Sequence, residues 1–278
     1  MPQLILFGLP PTLPDQVGPG LAREFGELLS ERLGAPVDVR ICANYSELSD
    51  RLAEGDLDFA WLPPLPAAGL RRHCGISVLT HAVRAGLHAY YSVIFVREDS
   101  PIEGTANLAG RRMGYVHRRS ASGFLVAAAT LSDRGIETAA APQFLKSHAR
   151  VVDAVQQGVV EAGATFCNFE GDPDEGVVTH AGFKQGGTDL PMRIVLRSDP
   201  IPADVICAWP GTQHGSRARM TEALVGLGGD ERGRGILDAI FGAERFDVTD
   251  MADLDRLDFA LEAPHVRLMA PSSDEGDE

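Results

Sequence analysis

With 278 residues, 44% hydrophobic and 23% charged, the chain has a globular composition and enough length for one large domain or two lobes of ordinary size. A net charge of −14 and a pI near 5.0 argue against nucleic acid or an anionic membrane as a partner, since binding either needs a basic face, while a local field can still hold a small anion. No run approaches the ~20 apolar residues of a membrane span.

The N-terminus "MPQLILFGLPPTLP" has neither the basic start nor the apolar stretch of a secretory signal. The expectation is therefore a cytoplasmic chain, or a periplasmic or extracellular one from which a leader has been removed. "LILFG" reads as a strand. "GLAREFGELLSERLG" puts Leu21, Phe25, Leu28 and Leu29 on one helical face and stops at Gly34. "VDVRIC" is a second strand. "NYSELSDRLAEG" is a helix with Asn44 as N-cap, Glu47 three residues on, and Gly55 as its end. "LDFAWLPP" is a third strand, broken by Pro63 and Pro64. This βαβαβ opening predicts a parallel sheet.

After "HAYYSVIFVRED" the order restarts. A strand at "RRMGYVH" precedes a helix over 122–134 that ends at Gly135. A short strand "PQFLKS", a helix "HARVVDAVQQG" and a strand "EAGATF" follow. "MRIVLRSDPIPADVICAWPG" reads as a return strand, followed by helices through residue 262 and an acidic disordered tail, "PSSDEGDE", over 271–278. Asp247, Asp250, Asp253, Asp255 and Asp258 lack a calcium-loop pattern and read as a solvated face. The cysteines Cys42, Cys74, Cys167 and Cys207 are scattered without a CxxC, so buried free thiols are expected, with no metal site and no cofactor.

The stretch "HRRSASGF" at residues 117–124 concentrates hydroxyls, a glycine and positive charge at a helix start. Helix N-termini carry unpaired N–H groups and partial positive charge, serine hydroxyls rotate to suit an oxyanion, and a glycine lets the backbone come close. Capping of the helix by Ser120 or Ser122 accounts for the same pattern. Arg118 and Arg119 either add to the anion field or are a solvated pair. No GxSxG elbow, GxxxxGK[ST] loop or HExxH motif is present, so catalytic residues are not assigned.

Five stretches together carry a resemblance: "NYSELSDRLAEGDLDFAWLPP", "YYSVIFVREDSPI" with "NLAGRRMGY", "SASGFLVAAATLSDRGI", "SHARVVDAVQQGVVEAGAT" and "RSDPIPAD". In this order, across roughly residues 4 to 225, the chain resembles the substrate-binding proteins of phosphonate, phosphate and phosphite ABC transporters. The resemblance implies an α/β fold: a two-lobed type II periplasmic-binding-protein-like clamshell of mixed, mostly parallel sheets flanked by helices. Lobe 1 would comprise residues 1–98 and 199–278, and an inserted lobe 2 residues 99–198.

The resemblance further implies that Ser120, Ser122 and Gly123 clamp the oxyanion, with Ala121 departing from the family's threonine. Tyr45, Trp61 and Tyr91 would wall the ligand, with core packing as the plain alternative for each. Ser147 and His148 match a Ser-His pair at the next helix start, where a surface histidine is the alternative. Asn168, Glu170 and Asp204 lie near positions that contact the organic part of the ligand. The function so implied is reversible binding of a small oxyanion of the phosphonate, phosphate or phosphite class. The partner would be an ABC permease in transport, or a cytosolic signalling protein if the chain is a sensor. The rival reading is a cytosolic enzyme of the same fold acting on a small anionic metabolite.

Overall fold

Alternation in the first strand sends Phe7 and Leu9 to one face of a sheet and Leu6 to the other, and each face gathers its own core. The computed structural model describes residues 3–11, 18–118, 120–138, 141–172, 176–184, 191–249, 255 and 257. The chain runs through β1 (Ile5–Leu9), α1 (Gly18–Leu33), β2 (Val37–Ile41), α2 (Tyr45–Glu54), β3 (Phe59–Leu62), α3 (Pro64–Cys74) and β4 (Ser77–Val83). Next come β5 (Ala89–Arg97), β6 (Met113–Tyr115), α4 (Val126–Asp133), β7 (Gln143–Phe144), α5 (His148–Gln156), β8 (Ala162–Glu170), β9 (Val177–Ala181) and β10 (Met192–Pro202). It closes with β11 (Val205–Ala208), α6 (His214–Val225), α7 (Glu231–Ile236) and β12 (Arg245–Val248).

Two compact units result. One contains Met1–His88 and Pro202–Asp255; the other contains Ala89–Ile201. The first is built on a six-stranded sheet of order β12-β4-β11-β3-β1-β2, in which β1, β2 and β3 are parallel. Strand β11 inserts antiparallel between β3 and β4. Helix α1 buries Phe25, Leu28 and Leu29 against this sheet, and Phe25 meets Phe7 edge-on at 5.2 Å between ring centroids. Helix α2 starts as its sequence predicts: Asn44 Oδ1 accepts from Glu47 N at 2.8 Å, and Glu47 Oε2 accepts from Ala43 N at 2.7 Å. It stops at Gly55, whose φ of +85° needs glycine and whose Cα faces the Trp209 ring so closely that an added Cβ would lie 2.7 Å from Cε2.

The second unit holds a sheet of order β10-β5-β8-β6-β7, with β9 paired to β8. Strand β6 is parallel to β7 and β8, and β5 is antiparallel to β8. Residues 89–97, placed in lobe 1 on sequence, form β5, whose ladder partners belong to the second sheet.

Three sequence expectations change. The "return strand" is two strands, β10 and β11, parted at Ala203 and Asp204 just after Pro202. The C-terminal region is not helical throughout, because β12 pairs with β4 and buries Phe246 against Phe241. Asp247 therefore sits on a strand, held by Arg245 at 3.0 Å, rather than on a helix. Asp250, Asp253, Asp258, Arg119 and the 271–278 tail lie outside the described residues.

Candidate functional site

In the second unit the parallel strands β6 and β8 point their carboxyl ends toward the same edge, the side on which open α/β sheets bind ligands. Beyond β6, Ser120 is the N-cap of a π-helical turn, Ala121–Leu125, that continues into α4. Its Oγ accepts from Gly123 N at 3.0 Å, so this serine is committed to the cap. Ser122 differs. It is only 5% exposed, and its carbonyl accepts from Ser92 Oγ at 2.7 Å, while its own hydroxyl makes no hydrogen bond to the described residues.

Ser92 belongs to a relay that fixes the turn. Its N–H donates to Ser198 Oγ on β10 at 3.0 Å, and that hydroxyl donates to Asp199 O at 2.6 Å. Gly123 is required by packing. A Cβ there would lie 2.7 Å from Val116 Cβ and closer still to Val116 Cγ2. Ala121 is the half-buried first residue of the turn.

The next loop is zipped to this one, with Leu145 N donating to Tyr115 O at 2.8 Å and Lys146 N to Val116 O at 2.7 Å. Lys146 takes a left-handed φ of +73° just ahead of α5. Ser147 caps that helix, accepting from Arg150 N at 3.3 Å. His148 begins it, with Nδ1 at 2.8 Å from Thr165 Oγ1 and its ring edge-on to Phe166. Burial, followed by the charge of His117, pulls the His148 pKa down to about 4, so the ring is neutral near pH 7.

The sign gives a prediction. A folded-state pKa below the unfolded value of about 6.5 contributes stability that is complete above pH 6.5 and is lost as pH falls toward 4. Melting curves of wild type and His148→Gln across that window should converge as the pH drops. A constant gap between them would contradict a neutral, buried histidine.

The other predicted residues are placed as follows. Asn168 Nδ2 donates to Ala89 O at 3.4 Å, and Glu170 ends β8 exposed. Tyr91 packs edge-on against Phe169 at 5.4 Å with the Arg197 guanidinium 5.1 Å from its ring centroid. By strand alternation Tyr91 faces away from Ser92, so Tyr90, not Tyr91, shares the face that carries the serine turn. Arg118 stacks over Phe144 at 4.7 Å.

In the first unit, α2 begins beyond the carboxyl end of β2, which sets Tyr45 at that edge. Asp204 sits beside Val205, the register partner of Leu62 at the carboxyl end of β3. Burial, then the Asp204 carboxylate, raises the Tyr45 pKa. Trp61, in contrast, is a core residue, 8% exposed and edge-on to Phe241 at 4.9 Å, with its indole N–H unpartnered among the described residues. The Asp204 charge thus acts on Tyr45 in one unit, and in the other the loops that lead into the Ser120–Gly123 turn and into Ser147 and His148 are joined through Leu145 and Lys146.

Sequence reading missed Ser92, Thr165, Ser198 and Arg84. Ser92 had a visible signal, a hydroxyl inside the apolar run "YYSVIFV" that must find a partner once buried. The thiols of Cys42, Cys167 and Cys207 are buried and raised in pKa by that burial, as expected of inert cysteines, whereas Cys74, expected to be buried as well, is exposed near the end of α3.

A family model described as "ABC transporter, phosphonate, periplasmic substrate-binding protein" matches residues 7–254. The chain belongs to this family. Phosphonate-type substrate-binding proteins also appear among the solved structures that it resembles. XAC2383 from Xanthomonas citri, bound to ATP, aligns over 96% of this chain and 99% of its own, with a TM-score of 0.74 at 22% identity. PhnD1 from Prochlorococcus marinus, in complex with methylphosphonate, aligns over 94% and 98%, with 0.65 at 18%. The periplasmic aliphatic sulphonate binding protein SsuA from Escherichia coli aligns over 100% and 96%, with 0.57 at 18%. The shared fold is the type II periplasmic-binding-protein fold. The family is one of periplasmic substrate-binding proteins, and no described helix is long and apolar enough to cross a membrane.

Proposed function

We propose that this phosphonate-family protein is the non-catalytic solute-binding component of an ABC transporter, delivering a phosphonate, phosphate or phosphite to a permease. The anionic head would be held by Ser122 Oγ, by the N–H groups of Ala121 and Ser122 that open the helix, and by neutral His148. The observation that carries the reading is Ser122 at a helix start, a residue only 5% exposed whose backbone is fixed by Ser92 and whose hydroxyl makes no hydrogen bond to the described residues, in a chain whose family binds phosphonates. That hydroxyl is left able to donate, and a tetrahedral oxyanion would accept from it and from the N–H groups beside it. With Ser120 Oγ occupied by Gly123 N, the two serines divide the work: one shapes the turn and the other faces the ligand. Neutral His148 would donate without adding charge, so anion affinity should not depend on its titration above pH 5.

Calorimetric titration with methylphosphonate, phosphate and phosphite tests this, together with phosphorus NMR of the recovered ligand. Saturable one-to-one binding of at least one of them, returned chemically unchanged, is the expected result. No binding of any would reject the ligand class, and conversion of a bound compound would favour an enzyme.

A further inference from the structure

Ser92 interrupts the apolar run of β5 with a completely buried residue whose hydroxyl and N–H both have defined partners. Its Oγ donates to Ser122 O at 2.7 Å, which ties the serine turn to the middle of the second sheet. Its N–H donates to Ser198 Oγ on β10 at 3.0 Å, and Ser198, also buried, gives its own hydrogen to Asp199 O at 2.6 Å. A hydroxyl has one hydrogen, so the direction of this chain is fixed: Ser198 donates to Asp199, and Ser92 donates to the turn. The register partner of Ser92 on β8 is Phe166. The His148 ring packs edge-on against Phe166 at 5.0 Å, and its Nδ1 meets Thr165, one residue earlier, at 2.8 Å. One rung of the β5–β8 ladder therefore holds the serine turn through its β5 member and borders His148 through its β8 member.

Building on the reading of Ser122 as an oxyanion donor, we infer that Ser92 is a positioning residue for the anion. It touches no ligand; it sets where the Ser122 hydroxyl and the N–H groups of the turn stand relative to His148. The turn is π-helical, wider than the α-helix it leads into, and a donor from outside the helix on its second residue fixes its orientation. Binding groups need to be held within about 0.5 Å of their productive geometry, and a buried, directional hydrogen bond does that.

Ser92→Ala and Ser198→Ala separate this role from plain support, because each removes one buried hydroxyl and both should lower the melting temperature. Calorimetry with methylphosphonate, phosphate and phosphite supplies the second readout. Ser92→Ala should weaken whichever of these wild type binds by about 5-fold or more. Ser198→Ala leaves the Ser92–Ser122 bond in place and should weaken it by less than about 2-fold. Because Ser92 acts through the turn, adding Ser122→Ala to Ser92→Ala should cost less affinity than the product of the two single losses. A double variant within about 2-fold of that product overturns the inference. So do equal losses in Ser92→Ala and Ser198→Ala, or a folded Ser92→Ala protein with wild-type affinity. Ser92→Cys keeps a weak donor in the same place and carries the same comparisons if the alanine variant does not fold. A loss in Ser122→Ala with none in Ser92→Ala strikes this inference alone. Wild-type affinity in Ser122→Ala, or no binding of any probe by wild type, strikes the reading of Ser122 and takes this inference with it.

Discussion

Ser122→Ala is expected to weaken oxyanion binding by about 10-fold to 150-fold, equivalent to ~1.5–3 kcal/mol for one hydrogen bond to a charged group, while leaving the melting temperature unchanged. The two halves of this expectation come from the same geometry. The Ser122 hydroxyl makes no hydrogen bond to the described residues, so folding loses no hydrogen bond when it is removed. The backbone carbonyl that Ser92 holds survives the substitution, and alanine is a good helix former. Ser120→Ala is the informative contrast. It removes the oxygen that accepts from Gly123 N, and loss of such a cap costs about 1 kcal/mol of stability. Calorimetry and thermal melting on the two variants should therefore separate a ligand serine from a capping one. Equal affinity in Ser122→Ala and wild type, with the fold intact, would remove this hydroxyl from the site.

The second large effect is steric. Gly123→Ala would drive a methyl group into the Val116 side chain, which itself sits where the chain leaves β6 and donates from its N–H to Gly123 O at 3.1 Å. Neither side of this contact can yield alone. Val116 is buried in the cluster formed with α5, and the turn is tied to β5 through Ser92. Overpacking of this kind costs about 1–3 kcal/mol, and each kcal/mol lowers the melting temperature of a domain this size by about 2–4 °C. Any relief comes from moving the turn that carries Ser122, so anion affinity should fall at least as far as in Ser122→Ala. A variant that melts and binds like wild type would show that the turn has room to spare.

Much of the fold could be read from the chain before its coordinates. Leu21, Phe25, Leu28 and Leu29 recur at helical spacing, so α1 and its buried face were legible, as was α2 from the Asn44–Glu47 cap and Gly55. These signals are local: a capping residue, a period, a glycine that must turn left-handed. They survive in sequence because each acts within a few residues of itself. The serine turn was legible for the same reason, since "SASG" before an alanine-rich run marks a helix start whatever it packs against.

What the sequence could not supply depended on partners far along the chain. The run from Met192 to Ala208 looks like one strand; it becomes two because β11 is drawn between β3 and β4, while β10 remains with β5. Residues 245–248 became a strand through pairing with β4 more than 160 residues earlier, an effect no local propensity encodes. Tyr91 and Tyr90 are adjacent and chemically alike; alternation puts Tyr90 on the face of Ser92, and only folding shows that this is the face that carries the serine turn. Trp61 ends up in the core because Phe241 lies opposite it. Asp204 reads as a free carboxylate until folding brings up Arg84, 120 residues away, to neutralise it. Sequence alone fixed which residues could start helices and bind an anion; tertiary structure decided which of them are occupied by one another, because burial forces every polar group and charge to find a partner wherever along the chain that partner lies.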